Sequence, residues 1–197
     1  MRACIYSRHV KSPIIYRGAY MQSIKPVQPV ADAPTFQPRD PLTEEEIEGI
    51  VLAVKSAFLK LKNLYDKITP VFDEYGFRAP SAGIVARDLS EKIETSIIQH
   101  CRTFARGLRH ADLARFNKRW EVKICKNSGL TINQSSVING ENYIVVNYQN
   151  NSRVKKIWVL WEAEDGFFSA KRQNSNARTV DMRAVRSHMQ VIYELKK

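Results

Sequence analysis

Residues 112–134, DLARFNKRWEVKICKNSGLTINQ, form the stretch that decides the fold, because two short runs in it alternate in polarity around Asn117. Such alternation is typical of β-strands, in which side chains two residues apart share a face. Glu121 and Lys123 therefore lie on one face of the second strand, and apolar neighbours such as Trp120 lie on the other. The stretch predicts a strand with one charged and one apolar face.

A tight hairpin would join the two strands if Asn117 and Lys118 were its loop residues. In that register Asp112 lies opposite Lys123 and shares its face, because directly opposed side chains point the same way. Two carboxylates and an ammonium, from Asp112, Glu121 and Lys123, would then converge, as a divalent metal ion and an attacking water require. The plainer interpretation is a surface charge cluster, which contributes little to stability.

The composition is that of a basic globular protein. The chain has 197 residues, of which 44% are hydrophobic and 26% charged, enough for one folded domain. Its net charge of +11 favours a polyanionic partner such as nucleic acid. Basic residues concentrate in two segments, 102–126 and 166–197. This concentration favours a phosphate-binding surface over a diffuse solubility device.

The cysteines and the hydropathy pattern bear on the cellular compartment. Cys4, Cys101 and Cys125 lack the paired spacing of a zinc site or a disulfide framework. This usage is typical of a reducing, intracellular compartment such as the cytoplasm. No apolar run approaches the ~20 residues of a membrane-spanning helix, so we expect no membrane partner. Cys101 and Cys125 are predicted to be small core residues.

The chain divides into an appendage and one domain. Residues 1–41 are predicted to be an extended, proline-rich, basic appendage. Residues 42–197 are predicted to form a single α/β domain. Within it, 42–108 is helical, 109–165 is the sheet core, and 166–197 is a basic C-terminal segment.

Two helices are predicted in the helical part. Thr43 and Glu46 form a capping-box pattern at the start of the first helix, and Pro70 is expected to end it. The second helix is predicted over about 83–108 from its apolar spacing. That spacing places Glu94 at the margin of the apolar face, so Glu94 is an optional further contributor to a site at the sheet edge.

The rest of the chain predicts mostly strands. A second capping-box pattern predicts a short helix over about 131–138. The β-rich runs 143–148 and 156–161 predict a hairpin that extends the central sheet. A short helix near 181–188 and a last edge strand at 191–193 are also predicted.

Asp112, the Glu121-Val122-Lys123 triplet and Gln134 together resemble the motif of the PD-(D/E)XK nuclease superfamily. The resemblance covers about residues 83–149. It implies a restriction-endonuclease-like core of αβββαβ order, an α/β fold whose central mixed β-sheet is flanked by helices. The helix near the start of the domain would be an addition to that core.

The resemblance also implies a metal-dependent endonuclease that hydrolyses phosphodiester bonds of nucleic acid, with DNA as the favoured substrate and Mg²⁺ or Mn²⁺ as cofactor. Asp112 and Glu121 would hold the metal together with the main-chain carbonyl of Val122. Lys123 would be the catalytic lysine, and Gln134 the supporting glutamine. By itself, Gln134 is explained equally well as the cap of the short helix.

Five basic residues are predicted to hold the nucleic-acid backbone. They are Lys126, Arg119, Lys171, Arg172 and Arg178. Many enzymes of this fold cut both strands as dimers, which would allow a homodimer here. Two alternatives stay open: a non-cleaving nucleic-acid-binding module of the same fold, and a helical protein-interaction domain in which 43–68 packs on a partner.

Overall fold

The structure, a computed structural model, describes residues 37–77, 82–107, 111–126, 129–133, 138–149, 153–170 and 177–196. Over these ranges the chain is an α/β fold with two α-helices and a mixed six-stranded sheet. The predicted residues Gln134, Lys171 and Arg172 and most of the appendage lie outside the described residues. No helix in the described ranges is long and apolar enough to cross a membrane.

The elements in chain order are α1 (Glu44–Glu74), α2 (Ala82–His100), β1 (Phe104–Arg106), β2 (Leu113–Arg115), β3 (Lys118–Lys126), β4 (Thr131–Asn133), β5 (Glu141–Gln149), β6 (Arg153–Ala163), β7 (Ala177–Thr179) and β8 (Met189–Glu194). The large sheet has the strand order β1-β2-β3-β5-β6-β8. β3 and β5 run parallel, and the other neighbouring strands are antiparallel. β4 and β7 form a separate two-stranded sheet.

The start of α1 confirms the predicted capping box. The Thr43 N–H donates to Glu46 Oε2 at 2.7 Å, and the Glu46 N–H donates to Thr43 Oγ1 at 3.2 Å. The predicted end at Pro70 is wrong, because α1 continues to Glu74. A proline removes one helical hydrogen bond and does not stop the helix here; of the residues of α1 beyond Pro70, only Phe72 is half-buried.

The second helix is shorter than its apolar spacing predicts. α2 ends at His100, and Phe104 belongs to β1 rather than to the helix. Phe104 is buried against Trp120, with ring centroids 5.3 Å apart. Because an apolar residue at this position is buried in either conformation, the helical spacing could not locate the end of the helix. The early end leaves room for a first strand before Asp112.

The β2–β3 hairpin has its loop one residue earlier than predicted. Phe116 and Asn117 are the loop residues, with φ of 47° and 61°, and Arg115 pairs with Lys118. This choice places Leu113 opposite Trp120, and both are buried in the core. The register therefore shifts by two residues, and the prediction that Asp112 lies opposite Lys123 is wrong: continued by one residue, the observed register places Asp112 opposite Glu121. A shift by two leaves the side chains on their predicted faces.

Beyond the hairpin, most predicted strands are confirmed. β5, β6 and β8 contain the predicted runs, and β5 and β6 pair as a hairpin. The predicted helix over 131–138 is wrong at its start, because 131–133 forms β4. Ile132 and its neighbour Leu130 are buried there, and this burial outweighs the local capping pattern. The region 181–188 contains turns and a single 3-10 turn, Arg186–His188.

The large sheet separates two hydrophobic cores. One lies under both helices and contains Phe58, Ile93, Trp120 and Trp161. The other lies on the opposite face, where Trp158 packs with side chains of β4, β5 and the C-terminal segment. Trp158 and Trp161 thus lie on opposite faces of β6, and both are buried.

A buried ion pair ties α1 to the hairpin. Arg115 donates from Nε to Glu46 Oε1 at 2.7 Å and from Nη2 to Glu46 Oε2 at 2.8 Å. The same guanidinium donates to the carbonyls of Asp40 and Pro41, and the Thr103 hydroxyl donates to Glu46. The Arg115 cluster, defined by these five residues, joins the start of the domain to β2.

Candidate active site

The candidate site lies where β2 and β3 diverge, which we call the fork. β2 pairs with β3 across Lys118–Trp120, whereas β3 continues to Lys126. Asp112 directly precedes β2, and its Oδ2 accepts the Val122 N–H at 2.9 Å. This bond fixes the Asp112 carboxylate at the edge that β3 exposes beyond the end of β2.

Glu121 and Lys123 lie side by side at the fork. Lys123 Nζ donates to Glu121 Oε2 at 2.6 Å. The Glu121 side chain is 8% exposed and that of Lys123 is 27% exposed. The shared face agrees with the alternation of the sequence, and the pair presents a carboxylate and an ammonium at the same spot.

Helix α2 adds Glu94 and Ser90 to the fork. The Ser90 hydroxyl donates to Glu94 Oε1 at 3.1 Å, and the same Oγ lies 3.4 Å from the main-chain oxygen of Val122. The N–H and C=O of one strand residue point to the same edge, so the Val122 carbonyl faces the side on which Asp112 lies. Glu94 is thus placed at the fork, and Ser90 is a contact that the sequence pattern did not reveal.

Burial and mutual repulsion set the acidities at the fork. The pKa of Glu121 is raised to about 7, mainly by burial. The negative charges of Asp112 and Glu141 also raise this pKa, and Lys123 lowers it. Burial also raises the pKa of Glu94, with a further contribution from Asp112. The surrounding positive charge therefore does not fully compensate these buried carboxylates.

The ammonium of Lys123 is held in its charged form. Burial lowers its pKa, but the nearby carboxylates of Glu121, Asp112 and Glu141 outweigh burial, so the pKa is raised above its ordinary value. Lys123 is therefore a cation at neutral pH. As a cation, Lys123 can stabilise negative charge and donate hydrogen bonds.

Glu141 is a fourth carboxylate that the sequence reasoning missed. It is 2% exposed, and it accepts from Arg119 Nε at 3.2 Å and from the Tyr143 hydroxyl at 2.7 Å. Tyr143 is aligned with Glu121 across β3 and β5. Glu141 stands two residues before Tyr143 and so shares its face, but only the pairing of β3 with β5 brings that face to Glu121.

The remaining predicted phosphate contacts differ in their surroundings. Lys126 is exposed at the end of β3, and the Arg119 side chain is 33% exposed beside Glu141. Arg178 is 5% exposed and donates to Asp165 and to the carbonyls of Ser169 and Phe168. A contact of Arg178 with nucleic acid would require these bonds to be exchanged.

The metal-binding capacity of the fork is limited to few protein ligands. Among the described residues, no three His, Cys, Asp or Glu side chains are grouped closely enough to hold a metal ion. Asp112, Glu121 and the Val122 carbonyl offer hard oxygen donors, and Mg²⁺ is usually held by one or two carboxylates plus water. The incompletely compensated charge of Glu121 also fits a cation at this place.

Comparison with known proteins gives no independent support for a function of the fork. No protein-family model matches the sequence, and no curated protein matches it. The functional interpretation therefore depends on the geometry and charge of the fork.

Proposed function

We propose that the protein is a metal-dependent nuclease that hydrolyses phosphodiester bonds of nucleic acid, with DNA as the favoured substrate. The observation that carries the proposal is the convergence of Asp112, Glu121 and Lys123 at the fork, where Lys123 Nζ lies 2.6 Å from Glu121 Oε2. Glu94 is a further carboxylate close enough to interact electrostatically with Asp112 and Lys123. A basic chain supplies the charge that attracts the nucleic-acid backbone.

The proposal includes a restriction-endonuclease-like core. Its support is the order of elements: α2 precedes three antiparallel strands, β1, β2 and β3, and β5 then runs parallel to β3. The αβββαβ pattern also calls for a helix between β3 and β5. Between β3 and β5, the described residues contain the strand β4 and no helix.

Each group at the fork has a role in this chemistry. Asp112, Glu121 and the Val122 carbonyl would hold Mg²⁺ or Mn²⁺, which when bound neutralises phosphate charge and activates water. Lys123, a cation with a raised pKa, would orient the water and stabilise negative charge on the phosphate. Glu121 must lose its proton to bind the metal, and its pKa in the metal-free protein is raised to about 7, so metal binding should strengthen as pH rises toward that value.

The test is nicking of supercoiled plasmid DNA with and without Mg²⁺ or Mn²⁺. We expect Glu121→Gln and Lys123→Ala each to lower the rate by at least about a hundredfold. The matched control is Lys62→Ala, since Lys62 pairs with Asp66 in an exposed pair on α1. Nicking that survives both fork substitutions would place the activity elsewhere and end this assignment.

A second candidate function is a nucleic-acid-binding module of the same fold that does not cleave. The observation that favours it is that both carboxylates already have protein partners, Asp112 at the Val122 N–H and Glu121 at Lys123. Such a module would bind DNA with a steep salt dependence and leave plasmid intact with either metal. Metal-dependent nicking that the fork substitutions abolish would exclude it.

A further inference from the structure

The tip of the β2–β3 hairpin exposes an aromatic side chain in a strained backbone conformation. Phe116 is 55% exposed and has a φ of 47°. Two-residue hairpin loops with positive φ favour Asn, Asp and Gly, and a bulky residue there is a backbone outlier. Burial does not explain the choice of Phe at this position. Strain of this kind occurs preferentially at functional sites.

The Phe116 ring is held in place by a fixed cation. The Arg115 guanidinium lies over the ring, 4.4 Å from its centroid. That guanidinium is itself anchored by Glu46 and by the carbonyls of Asp40 and Pro41. One face of the ring is therefore occupied, and the exposed surface of the ring is available to a second planar group.

A narrow cleft opens beside this ring. Phe116, Lys118 and Trp120 are among the residues that line it, and its interior admits about one water molecule. Trp120 is 1% exposed, and its indole N–H has no hydrogen-bond partner among the described residues. The Lys118 side chain is 44% exposed and lies 3.5 Å from Glu162. The tip thus combines an open aromatic surface with a partly exposed ammonium that is paired with Glu162, and Glu162 and Asp40 also line the cleft.

We propose that an unpaired nucleobase of the substrate stacks on Phe116 across the mouth of this cleft, with Lys118 against the adjoining phosphate. Stacking on an aromatic side chain requires a base with a free face, which a base inside an intact duplex lacks. The proposal rests on the proposed nuclease function and specifies its substrate class. That class is nucleic acid with a single-stranded segment beside the cleavage point.

Lys118 and Glu121 are three residues apart on β3, which is about 10 Å along the strand. Because this separation is odd, the two side chains lie on opposite faces of the sheet. A strand with one base on Phe116 and one phosphate at the fork would therefore have to bend from one face to the other, which a flexible single strand can do and a stiff duplex cannot.

The test measures binding of the full chain to a single-stranded oligodeoxynucleotide of about 16 nucleotides that carries 2-aminopurine, in EDTA. We expect Phe116→Ala to weaken binding about tenfold and to remove the fluorescence quenching caused by stacking. The matched control is Phe77→Ala, because Phe77 is also exposed, at 67%, but follows the distant end of α1. Phe116→Trp should keep both the affinity and the quenching.

A further variant separates binding from folding. Phe116→Asn should raise the midpoint of thermal unfolding, since Asn tolerates positive φ, and still weaken oligonucleotide binding. Unchanged binding and quenching in Phe116→Ala would overturn the stacking proposal, while the nicking test of Glu121 would stand independently. A wild-type protein that binds no oligonucleotide, or a Phe116→Ala variant that alters only self-association in sedimentation, would overturn it as well.

Discussion

Two buried charge clusters lie on the same hairpin, and they differ in how fully their charges are paired. In the Arg115 cluster, desolvation would raise the pKa of Glu46, but hydrogen bonds from Arg115, Thr103 and Thr43 outweigh it and hold the pKa below its ordinary value. At the fork, burial outweighs the pairing with Lys123 and raises the pKa of Glu121 to about 7.

The difference helps to distinguish a buried carboxylate that stabilises the fold from one that can take part in binding or catalysis. A carboxylate whose partners compensate burial, as at Glu46, is stable in its charged form and holds elements together. A carboxylate that burial and like charges keep uncompensated, as at Glu121, is poised to take up a proton or a cation. The comparison therefore predicts opposite responses to substitution in the two clusters.

The largest expected effect is on the Arg115 cluster. Glu46→Ala leaves the Arg115 guanidinium buried without its carboxylate, so we expect the free energy of unfolding to fall by about 3–5 kcal/mol. Urea denaturation measures the change. Asp66→Ala, which removes an exposed helical ion pair with Lys62, should cost no more than about 0.5 kcal/mol. A loss below about 1 kcal/mol in Glu46→Ala would contradict the structural role of the cluster.

The next effect is the pH dependence of stability that Glu121 introduces. Its pKa is raised from an ordinary 4.5 to about 7 in the folded protein, so the folded state binds more protons than the unfolded state in this interval. The contribution of Glu121 to stability is therefore full below pH 4.5 and is lost as pH rises toward 7, by up to about 3 kcal/mol.

Urea denaturation of wild type and Glu121→Gln at a series of pH values measures this contribution. The wild type should lose stability relative to the variant between about pH 5 and pH 7.5, because the glutamine does not titrate. Stability curves that stay parallel over this interval would show that the Glu121 carboxylate is compensated, like that of Glu46.

The smallest expected effect concerns the Thr43 cap of α1, which lies next to Glu46 of the Arg115 cluster. Thr43→Ala removes the hydroxyl that accepts the Glu46 N–H but leaves the Glu46 carboxylate paired with Arg115, so we expect a loss of about 1 kcal/mol. Thr95→Ala, which removes a hydroxyl bond within α2, is the control. A loss as large as that of Glu46→Ala would mean that the cap, and not the ion pair, holds the cluster together.

Local patterns in the sequence were sufficient for the parts of the fold that depend on near neighbours. The capping box of Thr43 and Glu46, the strand β3 and the shared face of Glu121 and Lys123 follow from spacings of two to four residues, and β5 and β6 follow from β-rich runs. Such spacings are set by the backbone geometry of one element. These features can therefore be predicted without knowing what the element packs against.

Long-range packing decided the rest. The hairpin loop lies one residue earlier than predicted because Leu113 pairs with Trp120 and both are buried. Ile132 is buried in β4, where the local capping pattern predicted a helix. The additions to the fork, Ser90 and Glu141, come from other elements. By itself the sequence determined which charges share a strand face. Only the tertiary structure decided which of them are paired and which are left uncompensated, because desolvation depends on every element that covers a charge.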